Sequence, residues 1–96
     1  MPDLFHALAA PARRHILDAL AQRNGQTLFE LCTRLSARQE AGMSRQAVSQ
    51  HLDVLEGCGL VTTRRDGRYK FHYLDTTPLR TIVDRWRIDT GEDDQS

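Results

Sequence analysis

Apolar positions repeat with a helical period along most of the chain, switch once to a period of two, and then switch back. Leu4, Phe5 and Leu8, behind the capping residue Asp3, predict a short first helix. Pro11 suits the first turn of a second helix, whose inward stripe is Ile16, Leu17 and Leu20. Asn24-Gly25 is expected to close it, since both residues tolerate left-handed backbone. Thr27-x-x-Glu30 is a capping box opening a third helix, with Leu28, Leu31, Cys32 and Leu35 on one face. The polar residues 36–43 read as a connector longer than a tight helix-helix turn, so either the third helix runs on or an irregular loop forms. Ser44 caps a fourth helix from Arg45 to Glu56 that buries Val48, Leu52 and Leu55 and is stopped by Gly57 and Gly59.

The period of two begins at Val61. Residues 61–65 and 68–74 flank Asp66-Gly67, which predicts a hairpin with a type I′ turn at those two residues. Tyr69, Phe71 and Tyr73 share one strand face; Arg68, Lys70 and His72 share the other. Thr77 is then expected to cap, and Pro78 to open, a last helix with Leu79, Ile82, Val83 and Trp86 at i, i+3, i+4 and i+7. The expectation is a mainly α fold with a small β-hairpin: about five helices and a two-stranded wing, in the order of a winged helix-turn-helix. Residues 1–90 form one domain in this reading, and residues 91–96 an acidic, disordered tail.

Composition narrows the class. A chain of 96 residues holds one domain; at this size only about 60–65% of the unfolded surface is buried, which favours a partner subunit. No apolar stretch approaches the ~18 residues of a membrane span. Met1-Pro2-Asp3 lacks the basic and apolar run of a signal peptide, and two cysteines do not make a disulfide scaffold. A cytoplasmic protein is expected.

Charge adds the chemistry. The net charge is zero, with 13 basic and 13 acidic residues. From Arg34 to Tyr73, however, seven basic residues face four acidic ones, while the last eight residues carry four acids and no base. On a helical wheel Gln46, Ser49, Gln50 and Asp53 lie opposite the apolar stripe of the fourth helix, with Arg45 at its N-terminal end. Arginine pairs with guanine, glutamine with adenine, and serine with bases or phosphate. The N-terminal part of a recognition helix is also the part that reaches base edges. Arg64, Arg65, Arg68 and Lys70 surround the hairpin tip, where they suit phosphates or a minor groove; one or two of them would also serve as charge guards on an edge strand.

Three strings resemble the arsenical-repressor (ArsR/SmtB) family of transcriptional regulators. They are residues 7–17 (ALAAPARRHIL), residues 44–52 (SRQAVSQHL) running on to Gly59-Leu60-Val61, and the hairpin 64–73. The resemblance covers residues 4–88. It implies a homodimeric repressor that binds double-stranded DNA, with Ser44, Arg45, Gln46, Ser49, Gln50 and His51 facing DNA and Arg64, Arg65, Arg68 and Lys70 added by the wing. On the wheel His51 flanks the apolar stripe, so a packed histidine bonding a backbone group is an equal alternative. The resemblance places the dimer interface on the first and last helices, at Leu4, Leu8, Leu79, Ile82, Val83 and Trp86. Two recognition helices would then sit about one DNA turn (~34 Å) apart over a pseudo-palindromic site.

Metal ligands typical of that family are not matched. Its Cys-x-Cys pair corresponds here to Cys32-Thr33-Arg34, and the last helix offers only Asp84 and the nearby Asp89. No metal and no cofactor is expected, and the effector is unidentified. A redox- or metal-responsive repressor is a minor alternative, and Cys32 reads better as a small buried hydrophobe. The neutral total charge favours a second alternative, a winged-helix module that binds protein rather than DNA. There is no P-loop, no G-x-S-x-G and no paired-histidine motif, so an enzyme is not expected.

Overall fold

Caps and apolar spacing produce five helices and one hairpin among the described residues, 3–37 and 43–88 of a computed structural model. The order is α1 (Leu4–Ala9), α2 (Pro11–Gln22), α3 (Leu28–Ala37), α4 (Arg45–Gly57), β1 (Val61–Asp66), β2 (Tyr69–Leu74) and α5 (Leu79–Arg85). Asp3 caps α1 by accepting from the Phe5 N–H at 3.0 Å. In the α3 capping box Glu30 Oε1 accepts from Thr27 N–H at 2.9 Å, and Thr27 Oγ1 accepts from Glu30 N–H at 3.2 Å. Helix α3 runs on through Ser36 to Ala37. Most of the expected connector, residues 38–42, lies outside the described residues, as does the expected acidic tail.

The stripes meet as their spacing requires. Ile16, Ala19 and Leu20 of α2 pack with Leu31 and Leu35 of α3 and Val48, Leu52 and Leu55 of α4, closed off by Ala7, Leu60 and Val61. Truncating one of these leucines to alanine costs about 2–5 kcal/mol.

Three local expectations are corrected. The hairpin turn is Gly67-Arg68, because Asp66 pairs with Tyr69 as the last rung of the ladder. Only a residue at ease with positive φ fits the first turn position, and Gly67 takes it at +65°. Arg68 therefore belongs to the turn and not to the Lys70–His72 strand face. Asn24-Gly25 does not cap α2, whose C-cap is Arg23. Instead Asn24 Oδ1 accepts from Leu74 N–H at 2.8 Å, and Gly25 (φ +77°) lies so close to the Tyr73 ring that a Cβ would come within 2.9 Å of it. Thr77 is not the cap of α5, whose N-cap is Pro78; Asp75 Oδ1 accepts from Thr77 N–H at 2.9 Å in the preceding turn.

The Asn24–Gln26 segment ties the hairpin to the helices. Gln26 exchanges backbone hydrogen bonds with His72 (3.1 and 2.8 Å), and its buried side chain donates to the carbonyls of Ala19 and Arg23 at the end of α2. His72 is buried and donates from Nδ1 to the Gln26 carbonyl at 2.9 Å. The base of the wing is thus pinned to α2 and α3, while its tip, residues 62–69, stays exposed.

Candidate nucleic-acid interface

The N-terminal turn of α4 is built to face outward. Ser44 Oγ accepts from Ala47 N–H at 3.0 Å, so this hydroxyl acts as the helix cap. Val48, Leu52 and Leu55 are buried, and that turns Arg45, Gln46, Gln50 and Asp53 to solvent. Arg45 makes no ion pair among the described residues. It lines an open cleft of about 450 Å³ with Phe29 of α3 and Tyr69 and Phe71 of β2.

Residues expected on one DNA face divide among three directions. Gln46 and Gln50 occupy the outermost position on α4. Ser49 is half-buried and lines a smaller cleft of about 190 Å³ between α4 and the wing, with Asp53, Glu56 and Lys70. His51 lies on the opposite flank, where its Nδ1 accepts from Arg13 Nη1 of α2 at 3.1 Å. Burial, reinforced by the Arg13 charge, holds the His51 pKa below the ordinary histidine value.

The wing divides in the same way. Arg64 stands opposite Phe71 on the aromatic face, and its guanidinium lies 5.3 Å from the centre of the Tyr73 ring. Arg65 stands opposite Lys70 on the other face. Arg68 is exposed at the turn. Lys70 reaches back to Glu56 at 3.7 Å, so it braces the wing against α4 and its charge is partly neutralised.

On the far side, Leu4, Leu8, Leu79 and Ile82 are half-buried, while Val83 and Trp86 are 66% and 60% exposed. Phe5 (45% exposed) packs against Trp86 with ring centroids 6.0 Å apart. Phe5 and the exposed Ile88 extend this apolar face beyond the residues expected from sequence. Both were visible as apolar side chains near the expected interface helices.

Sequence reasoning missed Arg13 altogether. It is buried, and it donates from Nε to Ala7 O at 2.8 Å and from Nη2 to His6 O at 3.0 Å, closing the end of α1. Its signal was positional: Arg13, Ile16 and Leu20 fall at i, i+3 and i+7, so a charge stands on the buried stripe of α2.

No group of three or more His, Cys, Asp or Glu side chains among the described residues is placed to hold a metal. Cys32 is half-buried on α3; burial pushes its thiol pKa up, with Arg45 opposing. No described helix is long and apolar enough to cross a membrane.

A helix whose exposed N-terminal turn carries arginine and glutamine, beside a basic two-stranded arm, defines a winged helix-turn-helix DNA-binding protein. Comparison with known proteins agrees. Residues 8–64 match the helix-turn-helix domain family. The chain is 42% identical over 83 residues to an uncharacterized HTH-type transcriptional regulator, YuzN, of Bacillus subtilis, covering 86% of this chain and 90% of that protein. It superimposes on an ArsR-like transcriptional regulator from Rhodococcus with a TM-score of 0.74 and 33% identity, over 85% of this chain and 69% of the other. A homodimeric winged helix-turn-helix DNA-binding domain from Mycobacterium bovis, Mb0332, gives a TM-score of 0.64 at 30% identity, covering 84% and 71%. The chain belongs to the ArsR family of helix-turn-helix transcriptional regulators, and it is a DNA-binding regulator and not an enzyme.

Proposed function

We propose that the protein is a homodimeric repressor that binds a pseudo-palindromic operator, with α4 in the major groove and the wing on the adjoining backbone. The observation that carries this reading is the exposed face Arg45, Gln46 and Gln50 at the start of a helix whose opposite face is wholly core. Arg45 and Gln46 read base edges, Ser49 and His51 stand at the flanks, and Arg64, Arg65 and Arg68 take phosphates. Ser44 contributes mainly as the cap that aims the helix, and Lys70 through its brace to Glu56.

The exposed Phe5, Val83, Trp86 and Ile88 support a two-fold interface through α1, α5 and the residues just past the end of α5, because a single domain leaves this apolar face in water. The homodimeric state of Mb0332 supports the same assembly. Repression follows from occupancy, since a dimer seated on a promoter excludes polymerase without a dedicated activating surface.

The test is fluorescence-anisotropy titration against the DNA upstream of the protein's own gene and against a scrambled duplex, each at two salt concentrations. Tighter binding to the native fragment, with log affinity falling steeply against log salt, is the expected result. Absence of binding to either duplex at low salt overturns the reading.

A further inference from the structure

Arg13 spends its guanidinium on two different elements. Two donors hold the His6 and Ala7 carbonyls at the end of α1, and the third donates to His51 on α4. Arginine has no acceptor and does not lose its proton. Nδ1 of His51 is therefore the accepting nitrogen, the ring is neutral, and Nε2 carries the hydrogen. That N–H makes no hydrogen bond among the described residues, and Nε2 of this half-buried ring is not fully cut off from solvent.

The location of this donor gives it a use. A helix about 10–12 Å across fills a major groove about 12 Å wide, so both of its flanks abut a sugar-phosphate strand. On α4 the wing, with Arg45, Ser49 and the Lys70–Glu56 brace, occupies one flank. His51 stands on the other, one residue from the outward Gln50.

We propose that Arg13 is a positioning residue that holds His51 as a neutral Nε2–H donor to one phosphate of the operator, on the strand away from the wing. The proposal rests on the DNA-binding reading above. Because the same guanidinium closes α1, the donor is placed relative to the element proposed to meet the partner subunit.

A neutral donor leaves a signature that a cation does not. It adds a directional contact without releasing a counterion, so losing it lowers affinity while the slope of log affinity against log salt stays the same. The experiment titrates the full-length protein and its His51→Ala, His51→Gln and Arg13→Gln variants against the operator at several salt concentrations. It then repeats the titrations on duplexes carrying one methylphosphonate, a neutral phosphate replacement, at successive positions.

His51→Ala should weaken binding about tenfold with an unchanged salt slope. His51→Gln, whose amide nitrogen falls near the Nε2 position, should recover most of that loss. One methylphosphonate should weaken the wild type about tenfold and leave His51→Ala unaffected. Nitrogen-15 spectra of the histidine rings at pH 7 should show the Nε2–H tautomer for His51, and Arg13→Gln should lose it together with the contact. Because Arg13 is buried and its variant is at risk of misfolding, the His51 variants decide the question.

An operator affinity unchanged in His51→Ala, a slope reduced by about one, or an imidazolium or Nδ1–H form at pH 7 each overturns the proposal while leaving operator binding intact. Failure of the wild type to bind any duplex overturns both readings together.

Discussion

Arg45 and His51 sit six residues apart on the same helix, yet their surroundings assign them different behaviour. Arg45 is exposed and without an ion-pair partner among the described residues, so its guanidinium is available to a base edge. Arg45→Ala should cost about 1–3 kcal/mol of discrimination between operator and scrambled DNA, read by competition titration. Arg68→Ala, at the turn, should weaken both duplexes alike and reduce the salt slope by about one. His51 has its pKa lowered by burial first and by Arg13 second. The unfolded chain, with an ordinary histidine near pH 6.5, takes up this proton before the folded one does. Stability from this group is therefore complete above about pH 6.5 and is lost as the pH falls from there through the lower folded value. Thermal melts between pH 7.5 and 5 should show a steeper fall in Tm for the wild type than for His51→Gln.

At the scale of elements, the hairpin depends on what holds its base. Two glycines with similar backbone angles separate two causes. At Gly67 (φ +65°) an added Cβ would meet no heavy atom within 4 Å, so Gly67→Ala carries only the backbone penalty of about 1–2 kcal/mol. Gly25 (φ +77°) carries the same penalty and also forces back the Tyr73 ring, 2.9 Å from the added carbon. Gly25→Ala should be the more damaging by about 1 kcal/mol or more in urea unfolding, since overpacking adds to strain. Equal costs would mean that the Asn24–Gln26 segment yields freely and does not anchor the wing. The capping box and the α4 cap are local and were legible in sequence, because Thr27 meets Glu30, and Ser44 meets Ala47, within a single turn. The turn position was not. Asp66-Gly67 carries a strong hairpin signal, but the ladder extends to Asp66–Tyr69, and that register moves the two-residue connection on to Gly67-Arg68.

For the whole molecule, the decisive quantity is the apolar face of α1 and α5. Phe5 and Trp86 pack on each other without leaving solvent, and Val83 and Ile88 lie on the exposed segment beside them. Covering this face with a second copy removes it from water at about 25 cal/mol per Å² and joins two reading helices on one rigid body. Trp86→Asp should convert the proposed dimer to monomer in sedimentation-velocity runs at micromolar concentration. It should also weaken operator binding at least tenfold, because each half-site must then be filled independently. A dimer that survives the substitution would place the interface elsewhere.

Sequence alone determined the order of elements, the caps of α1, α3 and α4, the apolar stripes and the outward Arg45-Gln46 turn. Each of these is written in contacts between residues no more than about seven apart, where helical or strand periodicity dictates which side chains meet. Tertiary structure alone decided that Arg13 holds His51 across 38 positions and that His72 meets Gln26 across 46. It also decided that Lys70 turns back to Glu56 and that Phe5 finds Trp86. No periodicity encodes such pairs. They form because packing the stripes into one core brings distant elements together, and a buried donor or acceptor must then find a partner there.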